Sequence, residues 1–497
     1  MYVQFCWIQA ALLLLQSFLV QSLPITRPEL PTGQHCCPIA RNLLWSKTIR
    51  GLDSSASRLI ARLLRYRFLL PELQLRDGLE HLGTGIRVRS FVSDLVKGSR
   101  PLKVGVVGGS ISWGEGAGTH GKTDWFSVFM NWLASAAPGE VSGRNGCVPG
   151  TTSNYMLLCL DHSVDPDVDL VFVECSSRDG FVDKLILNSI VGGHEQLIRR
   201  LLALPGRPAV VLVHVPYLRP TSFSPFPVTS EDVQGALASY YDLPAVSLRN
   251  ALYPLNVHDP TRYFLWNQTF ADTHPGDAGH KTLADLAAHL IQETALGLVH
   301  YPASEGEVLQ HDEPLPPPMY EGNFPPPTPS CLTGPNLHDL MVSAEGWTWA
   351  NEGSKMRPRW GFVATNPGSN LLLRLDTRDP QAAEGGSRAV STVPVLLQYF
   401  KSYKTVMGSI LLRCEGGCLC PEHTLDSWHE ERVSQTSMAL IRTARVDNAT
   451  TCDLSLTVLQ ETRTAGHKFK ISGVVVGVGY ELSGTYDHKY WRIPEDT

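Results

Sequence analysis

Four apolar runs that do not alternate with polar residues constrain the fold of this chain more than any other feature. They are "LKVGVV" (102–107), "DLVFVE" (169–174), "AVVLVHV" (209–215) and the weaker "LPAVSL" (243–248). A strand with one face in water alternates in polarity, whereas apolar runs without alternation, separated by helices, indicate strands covered on both faces. Helical periodicity fills the intervals. A helix starts near Thr123 and carries Trp125, Phe126, Phe129, Met130 and Leu133. A short helix covers 153–163, a long amphipathic one about 183–204, and a last one about Asp277 to Leu296, while 143–152 reads as irregular and glycine-rich. This alternation predicts an α/β domain with a parallel sheet covered by helices on both faces.

The flanks differ. Residues 40–98 read as helical, with apolar residues at helical spacing in "SRLIARLLRYRFLL". Residues 302–330 contain "EPLPPPMYEGNFPPPTPS", a proline-rich extended spacer. Beyond it the period becomes two: Leu371, Leu373 and Leu375 form one series, Leu454, Leu456 and Val458 another. Strands separated by turns predict a C-terminal β-sandwich. The expected layout is a leader at 1–22, an N-terminal helical extension at 23–98, the α/β domain at 99–300, a linker at 301–330 and the sandwich at 331–497.

Residues 5–20 form one apolar run, "FCWIQAALLLLQSFLV", at whose end Val20 and Ser22 stand at −3 and −1 of a cleavage point. This reads as a secretory signal peptide and predicts a secreted protein. "MYVQ" carries no Lys or Arg, so an uncleaved signal anchor is the alternative, and the only route to a membrane. Of eleven cysteines, ten lie beyond this run, an even number that favours disulfides in an oxidising compartment. Cys414, Cys418 and Cys420 have a spacing unlike the usual zinc sites, so they are read as disulfide partners and no metal is expected. Cys147 and Cys159 bracket Gly150 and are expected to be joined. Sequons at Asn267 and Asn448 fit the same export route. A net charge of −6 without a long basic run argues against nucleic acid as a partner.

The segment "VGVVGGSISWGEGAGTHGKTDW" (104–125) admits two readings. Gly116 to Thr123 match G-x-x-x-x-G-K-[ST], a phosphate-cradling loop. Such a loop leaves its strand directly, but here the strand ends near Val107 and the pattern begins at Gly116. An exported chain also meets little ATP, so the match is read as coincidence, no nucleotide or other cofactor is expected, and Thr123 is read as a helix N-cap. The other reading starts from Ser110, at the C-terminal end of the first strand, where ligands bind in open α/β sheets. A nucleophilic serine needs a base and an orienting acid. "FADTHPGDAGH" supplies Asp272 and His274 just before the final helix, and Gly150 in "GCVPGTTS" offers a backbone N–H to an oxyanion. Elsewhere, His280 reads as a packing residue, Glu174 as an ion-pair partner of Arg178, and His120 and Asp124 as cleft neighbours without assigned roles.

Ser110 in "GGSIS", Gly150 and the Asp272–His274 pair, in that order, resemble the SGNH (GDSL-type) hydrolase superfamily over about residues 99–300. The resemblance implies a flavodoxin-like three-layer α/β/α fold and an esterase or acyl-transfer activity. It also implies a Ser110 nucleophile, a His274 base and an oxyanion hole from the N–H groups of Ser110 and Gly150 and an Asn side chain. Two positions depart from the pattern. Arg178, in "VECSSRDG", occupies the usual Asn place, and Asp272 lies two residues before His274 rather than three.

The C-terminal region is rich in aromatics: Trp347, Trp349, Trp360, Tyr399 and Tyr403. Aromatic faces stack on sugar rings, but Trp347 and Trp360 are expected to fill the sandwich core. The resulting expectation is a secreted serine ester hydrolase or acyl-transfer enzyme acting on an acylated small molecule or polysaccharide, with O-acetyl esters of glycans as the favoured substrate. The alternative is a catalytically weak or inactive glycan-binding protein on the same scaffold.

Overall fold

The computed structural model describes residues 54–177, 179, 189–216, 229–258, 274–302, 304, 313–325, 330–355, 358–378, 392–430, 434–446 and 449–477. Its first layer system is a six-stranded sheet in the order β1-β6-β5-β4-β2-β3. The strands are β1 (Leu79–His81), β2 (Leu102–Gly108), β3 (Val141–Asn145), β4 (Leu170–Glu174), β5 (Ala209–His214) and β6 (Ala245–Ser247). Strands β2 to β6 run parallel, and β1 pairs antiparallel with β6 at the edge. The four strands expected from apolar runs are all present. β1 and β3 lie where the sequence reads as helical and as irregular. β1 has only three residues, and β3 is an edge strand whose middle residues are exposed, so neither carries an apolar signal.

Helices cover both faces. On one face lie α1 (Ser54–Leu63), α2 (Ile86–Lys97), α4 (Trp125–Ala136) and α7 (Asp277–His300); α3 (Ser110–Trp113) is a single turn after β2. Leu63, Phe91, Leu95, Phe129, Leu133 and Leu290 share one core with Phe172 and Val211 of the sheet. On the other face, α5 (Ser153–Leu158) and α6 (Ser189–Leu202) pack on Val171, Val173 and Leu212. This is the flavodoxin-like three-layer arrangement. Helix α4 is capped by Asp124, whose Oδ1 accepts the Ser127 N–H at 2.9 Å, and not by Thr123 as expected. The Thr123 hydroxyl instead accepts the Thr119 N–H at 2.9 Å, one turn upstream.

The C-terminal part is a β-sandwich. Its first sheet holds β7 (Ser330–Thr333), β9 (Thr348–Asn351), β10 (Trp360–Ala364), β12 (Thr392–Ser402), β14 (Cys418–Leu419), β16 (Ser434–Arg445) and β18 (Phe469–Val476). Its second holds β8 (Met341–Glu345), β11 (Asn370–Asp376), β13 (Ser409–Gly416), β15 (His423–Asp426) and β17 (Thr451–Val458). Leu371 opposes Leu456 and Leu373 opposes Leu454, and all four point into the core between the sheets, as the period of two requires.

The first sheet is buried on both faces. Val395, Leu397, Ile441 and Val474 fill the sandwich core. Their neighbours Leu396, Met438 and Val475 point the other way and pack with Tyr155, Met156 and Leu157 of α5. A disulfide, Cys159–Cys331, joins the two parts at this junction. Part of the proline-rich spacer lies along α6: the Asn323 side-chain amide donates to Glu195 at 2.6 Å, and Arg199 donates to the Pro316 carbonyl at 2.7 Å.

Cys147 is therefore not joined to Cys159. It is a buried free thiol, at 3.6 Å from the Val106 carbonyl, and its partner by expectation is committed to the sandwich. Cys414–Cys420 and Cys418–Cys452 are disulfides, in line with the reading against a zinc site. Trp347 is buried in the sandwich, but Trp360 is 44 % exposed. Trp360 shares the face of the buried Phe362 yet stands at the first position of β10, beyond the rim of the core.

Candidate active site

Strand β2 lies between β3 and β4, so the chain turns to opposite sides at its C-terminal end. That reversal opens a crevice, and Ser110 stands at its base as the first residue of α3. The turn is tight. A β-carbon on Gly108, at φ +157°, would stand 2.1 Å from the Glu174 carbonyl oxygen, so only glycine fits. Ser112 then locks α3 from three sides. Its N–H donates to the buried Glu174 carboxylate at 3.3 Å, its carbonyl accepts from Asn145 at 2.7 Å, and its hydroxyl accepts the Trp125 indole N–H at 3.0 Å. A residue so held, through its backbone and its hydroxyl, fixes the direction of its neighbours, including Ser110.

His274 reaches the same point from the loop before α7. Ser110 Oγ and His274 Nε2 are 2.8 Å apart, within hydrogen-bond reach of a nucleophile and its base. Ser110 itself is buried and His274 half-buried. Asp272 and Arg178 lie outside the described residues, as do the sequons Asn267 and Asn448 and the apolar run 5–20. Glu174 takes hydrogen bonds from Ser112 and from the Ser177 hydroxyl at 2.9 Å, so it anchors the turn; its expected partner Arg178 is not described.

The glycine-rich stretch after α3 supports the histidine loop. A β-carbon on Gly116, at φ +91°, would meet the Pro275 carbonyl at 2.3 Å and the His274 β-carbon at 3.1 Å. The Gly118 N–H donates to Asp277 at 2.7 Å, and the Gly121 N–H to Asp124 at 2.6 Å. The Thr119 N–H goes to Thr123, so these three backbone donors of the stretch are engaged by protein acceptors. The Gly118 and Thr123 hydrogen bonds hold the Asp277 carboxyl below its usual range. His120 stacks on Trp113 with ring centroids 4.0 Å apart. His280 is buried against Glu115 and Trp125, and burial lowers its pKa.

Gly150, at φ +80°, sits at the tip of the loop between β3 and α5. The loop is tied to β2 through Val148 N–H and the Gly108 carbonyl, 3.0 Å. It also faces the sandwich: a β-carbon on Gly150 would stand 3.4 Å from the Thr436 nitrogen and 3.5 Å from the Gln435 Cα. Residues of β16 therefore wall the loop that carries the candidate oxyanion donor. Cys175, Asp179 and His194 bring three ligand-type atoms within 4.8 Å of one another. Both Asp179 oxygens are already engaged by Ser153, Gln234 and His194, however. Ser112, Asn145 and Asp179 carry no sequence signal of these roles, because each acts through a contact made only in the folded chain.

Neither a family model nor a curated protein sequence matches the chain. Solved structures do. A two-domain esterase (CEX) active on acetylated mannans, crystallised with mannopentaose, aligns with TM-score 0.57 and 17 % identity, over 82 % of this chain and 99 % of that one. A second structure of a two-domain esterase (CEX) active on acetylated mannans aligns with TM-score 0.56 at 17 % identity, over the same shares. A lipase/acylhydrolase from Enterococcus faecalis aligns with 39 % of this chain and 96 % of its own, at 20 % identity and TM-score 0.30. The chain thus shares the two-domain fold of the CEX esterase, an α/β/α domain followed by a β-sandwich.

Proposed function

We propose that this protein is a serine ester hydrolase that removes O-acetyl groups from a polysaccharide. The observation that carries the reading is the 2.8 Å approach of Ser110 Oγ to His274 Nε2 at the C-terminal end of β2. In the proposed reaction Ser110 Oγ attacks the acyl carbonyl carbon while His274 Nε2 takes its proton. The N–H groups of Ser110 and Gly150 face the oxyanion of the tetrahedral intermediate, with Arg178 as a third donor in place of the usual Asn. Collapse of the intermediate breaks the ester C–O bond, and His274 returns the proton to the departing sugar hydroxyl. Water then attacks the acyl-serine, again giving its proton to His274, and carboxylic acid leaves as Ser110 is restored. Asp272 is proposed to orient His274.

The polysaccharide substrate is supported by the likeness to an esterase active on acetylated mannans, and by the surface of the sandwich. Trp349 and Trp360 stack with ring centroids 5.9 Å apart and planes 10° from parallel, and Trp360 is exposed. Such a plate suits the apolar face of a pyranose ring. Export through the apolar run at 5–20, and glycosylation at Asn267 and Asn448, complete the proposal. No helix among the described residues is long and apolar enough to cross a membrane.

The test is release of acetate from acetylated mannan by the purified chain and by Ser110→Ala. Release by the wild type that falls to background in the variant supports the proposal. Release that persists unchanged in Ser110→Ala refutes it, and binding of the glycan without release favours the inactive, glycan-binding alternative.

A further inference from the structure

Asp179 is a buried carboxylate, 4 % exposed, whose hydrogen bonds converge from three separate elements. Its Oδ1 accepts the N–H of Ser153, the first residue of α5, at 2.8 Å. Its Oδ2 accepts from the Gln234 side-chain amide at 2.9 Å and lies 3.2 Å from Nδ1 of His194 on α6. Its own N–H donates to the Cys175 carbonyl at 2.9 Å, directly after β4. His194 is 1 % exposed, and its Nε2 has no hydrogen-bond partner among the described residues. A neutral ring with its proton on Nδ1, donated to Asp179, fits that arrangement; a charged ring would bury an unpaired N–H.

Burying a carboxylate costs solvation that packed apolar side chains would not, so stability alone does not account for this cluster. Position does. Ser153 stands three residues after Gly150 in the chain, and only Thr151 and Thr152 separate the two. The other end of the loop is fixed by Val148 on Gly108, and its outer side by Gln435 and Thr436. Asp179 supplies the remaining tie, at the N-terminus of α5.

We infer that Asp179, held by His194 and Gln234, is a positioning residue that aims the Gly150 N–H at the oxyanion. The inference rests on the acyl-transfer reading above. Asp179 touches no reacting atom; it acts through Ser153 on the loop. An oxyanion donor moved out of line loses transition-state stabilisation but little ground-state binding, so the loss falls on kcat and not on KM.

The experiment measures p-nitrophenyl acetate hydrolysis by the full chain carrying Asp179→Ala, Asp179→Asn or His194→Gln, each normalised to the sites titrated by a fluorophosphonate. Asp179→Ala should lower kcat about 10- to 100-fold with KM nearly unchanged. Asp179→Asn keeps an oxygen for the Ser153 N–H and should recover much of the loss, and His194→Gln should fall between them. Per-site kcat within about threefold of wild type in Asp179→Ala overturns the inference. Where Asp179→Ala fails to fold, wild-type per-site kcat in both other variants overturns it equally. The failure of the underlying reading looks different: the wild type itself then shows no turnover that Ser110→Ala removes.

Discussion

The carbonyl oxygen of Pro275 lies 2.3 Å from where a β-carbon would stand on Gly116. The glycine-rich stretch and the histidine loop are therefore seated directly on each other, and the one cannot change without moving the other. Gly116→Ala adds a left-handed backbone penalty of about 1–2 kcal/mol to this clash. The account predicts a lower melting temperature and a kcat/KM reduced on the order of 10²-fold, because His274 moves relative to Ser110. Wild-type activity in a folded Gly116→Ala chain would contradict the seating.

His280 links the site to acidity. Its neutral form is satisfied twice, Nε2–H toward the Glu115 carbonyl at 3.2 Å and Nδ1 toward the Trp125 N–H at 3.4 Å. Burial lowers its pKa below the ordinary value of 6.5, so the unfolded chain takes up the proton first. The stability this group contributes is whole above the ordinary value and is lost as pH falls below it. Melting temperature should fall between about pH 7 and pH 5, and His280→Gln should flatten that dependence. An equal slope in wild type and variant would remove His280 as its source.

Cys159–Cys331 closes a loop of 172 residues across the junction of the two parts. Cross-links over long loops contribute on the order of 2–5 kcal/mol. Cys331→Ser should lower the melting temperature, and reductant should lower that of the wild type by a similar amount while changing the variant less. Activity should fall as well, since β16 walls the Gly150 loop. Unchanged activity in the unlinked chain would show that the wall holds without the cross-link.

Trp360 stands outside the core, so its removal tests glycan contact with little cost in folding. Trp360→Ala should keep the melting temperature and weaken binding of mannan-derived oligosaccharides about tenfold, while leaving p-nitrophenyl acetate turnover intact. Equal affinity of the two proteins for the oligosaccharide would rule out the plate as a sugar contact.

The sequence was most legible where burial was two-sided. β2, β4, β5 and β6 are read directly from unalternating apolar runs, and the sandwich from its period of two in Leu371–Leu375 and Leu454–Val458. β3 was not, because an edge strand with exposed residues needs no apolar pattern. Ser110 and His274 were legible through their order along the chain, and the fold brings the two together. The pairing of Cys159 with Cys331 was not, since nothing local tells a cysteine which distant sheet will pack on its helix. The roles of Ser112, Asn145 and Asp179 were hidden for the same reason. Glycines needed for close packing against Pro275 look the same in sequence as glycines needed around a phosphate.

The central claim is an activated serine at Ser110 paired with His274. It is tested most directly by labelling the purified chain with a fluorophosphonate and locating the adduct by peptide mass spectrometry. The account predicts an adduct on Ser110, absent from Ser110→Ala and slowed on the order of 10³-fold or more in His274→Ala. A folded wild type that takes no label, or a label that stays in Ser110→Ala, would contradict it.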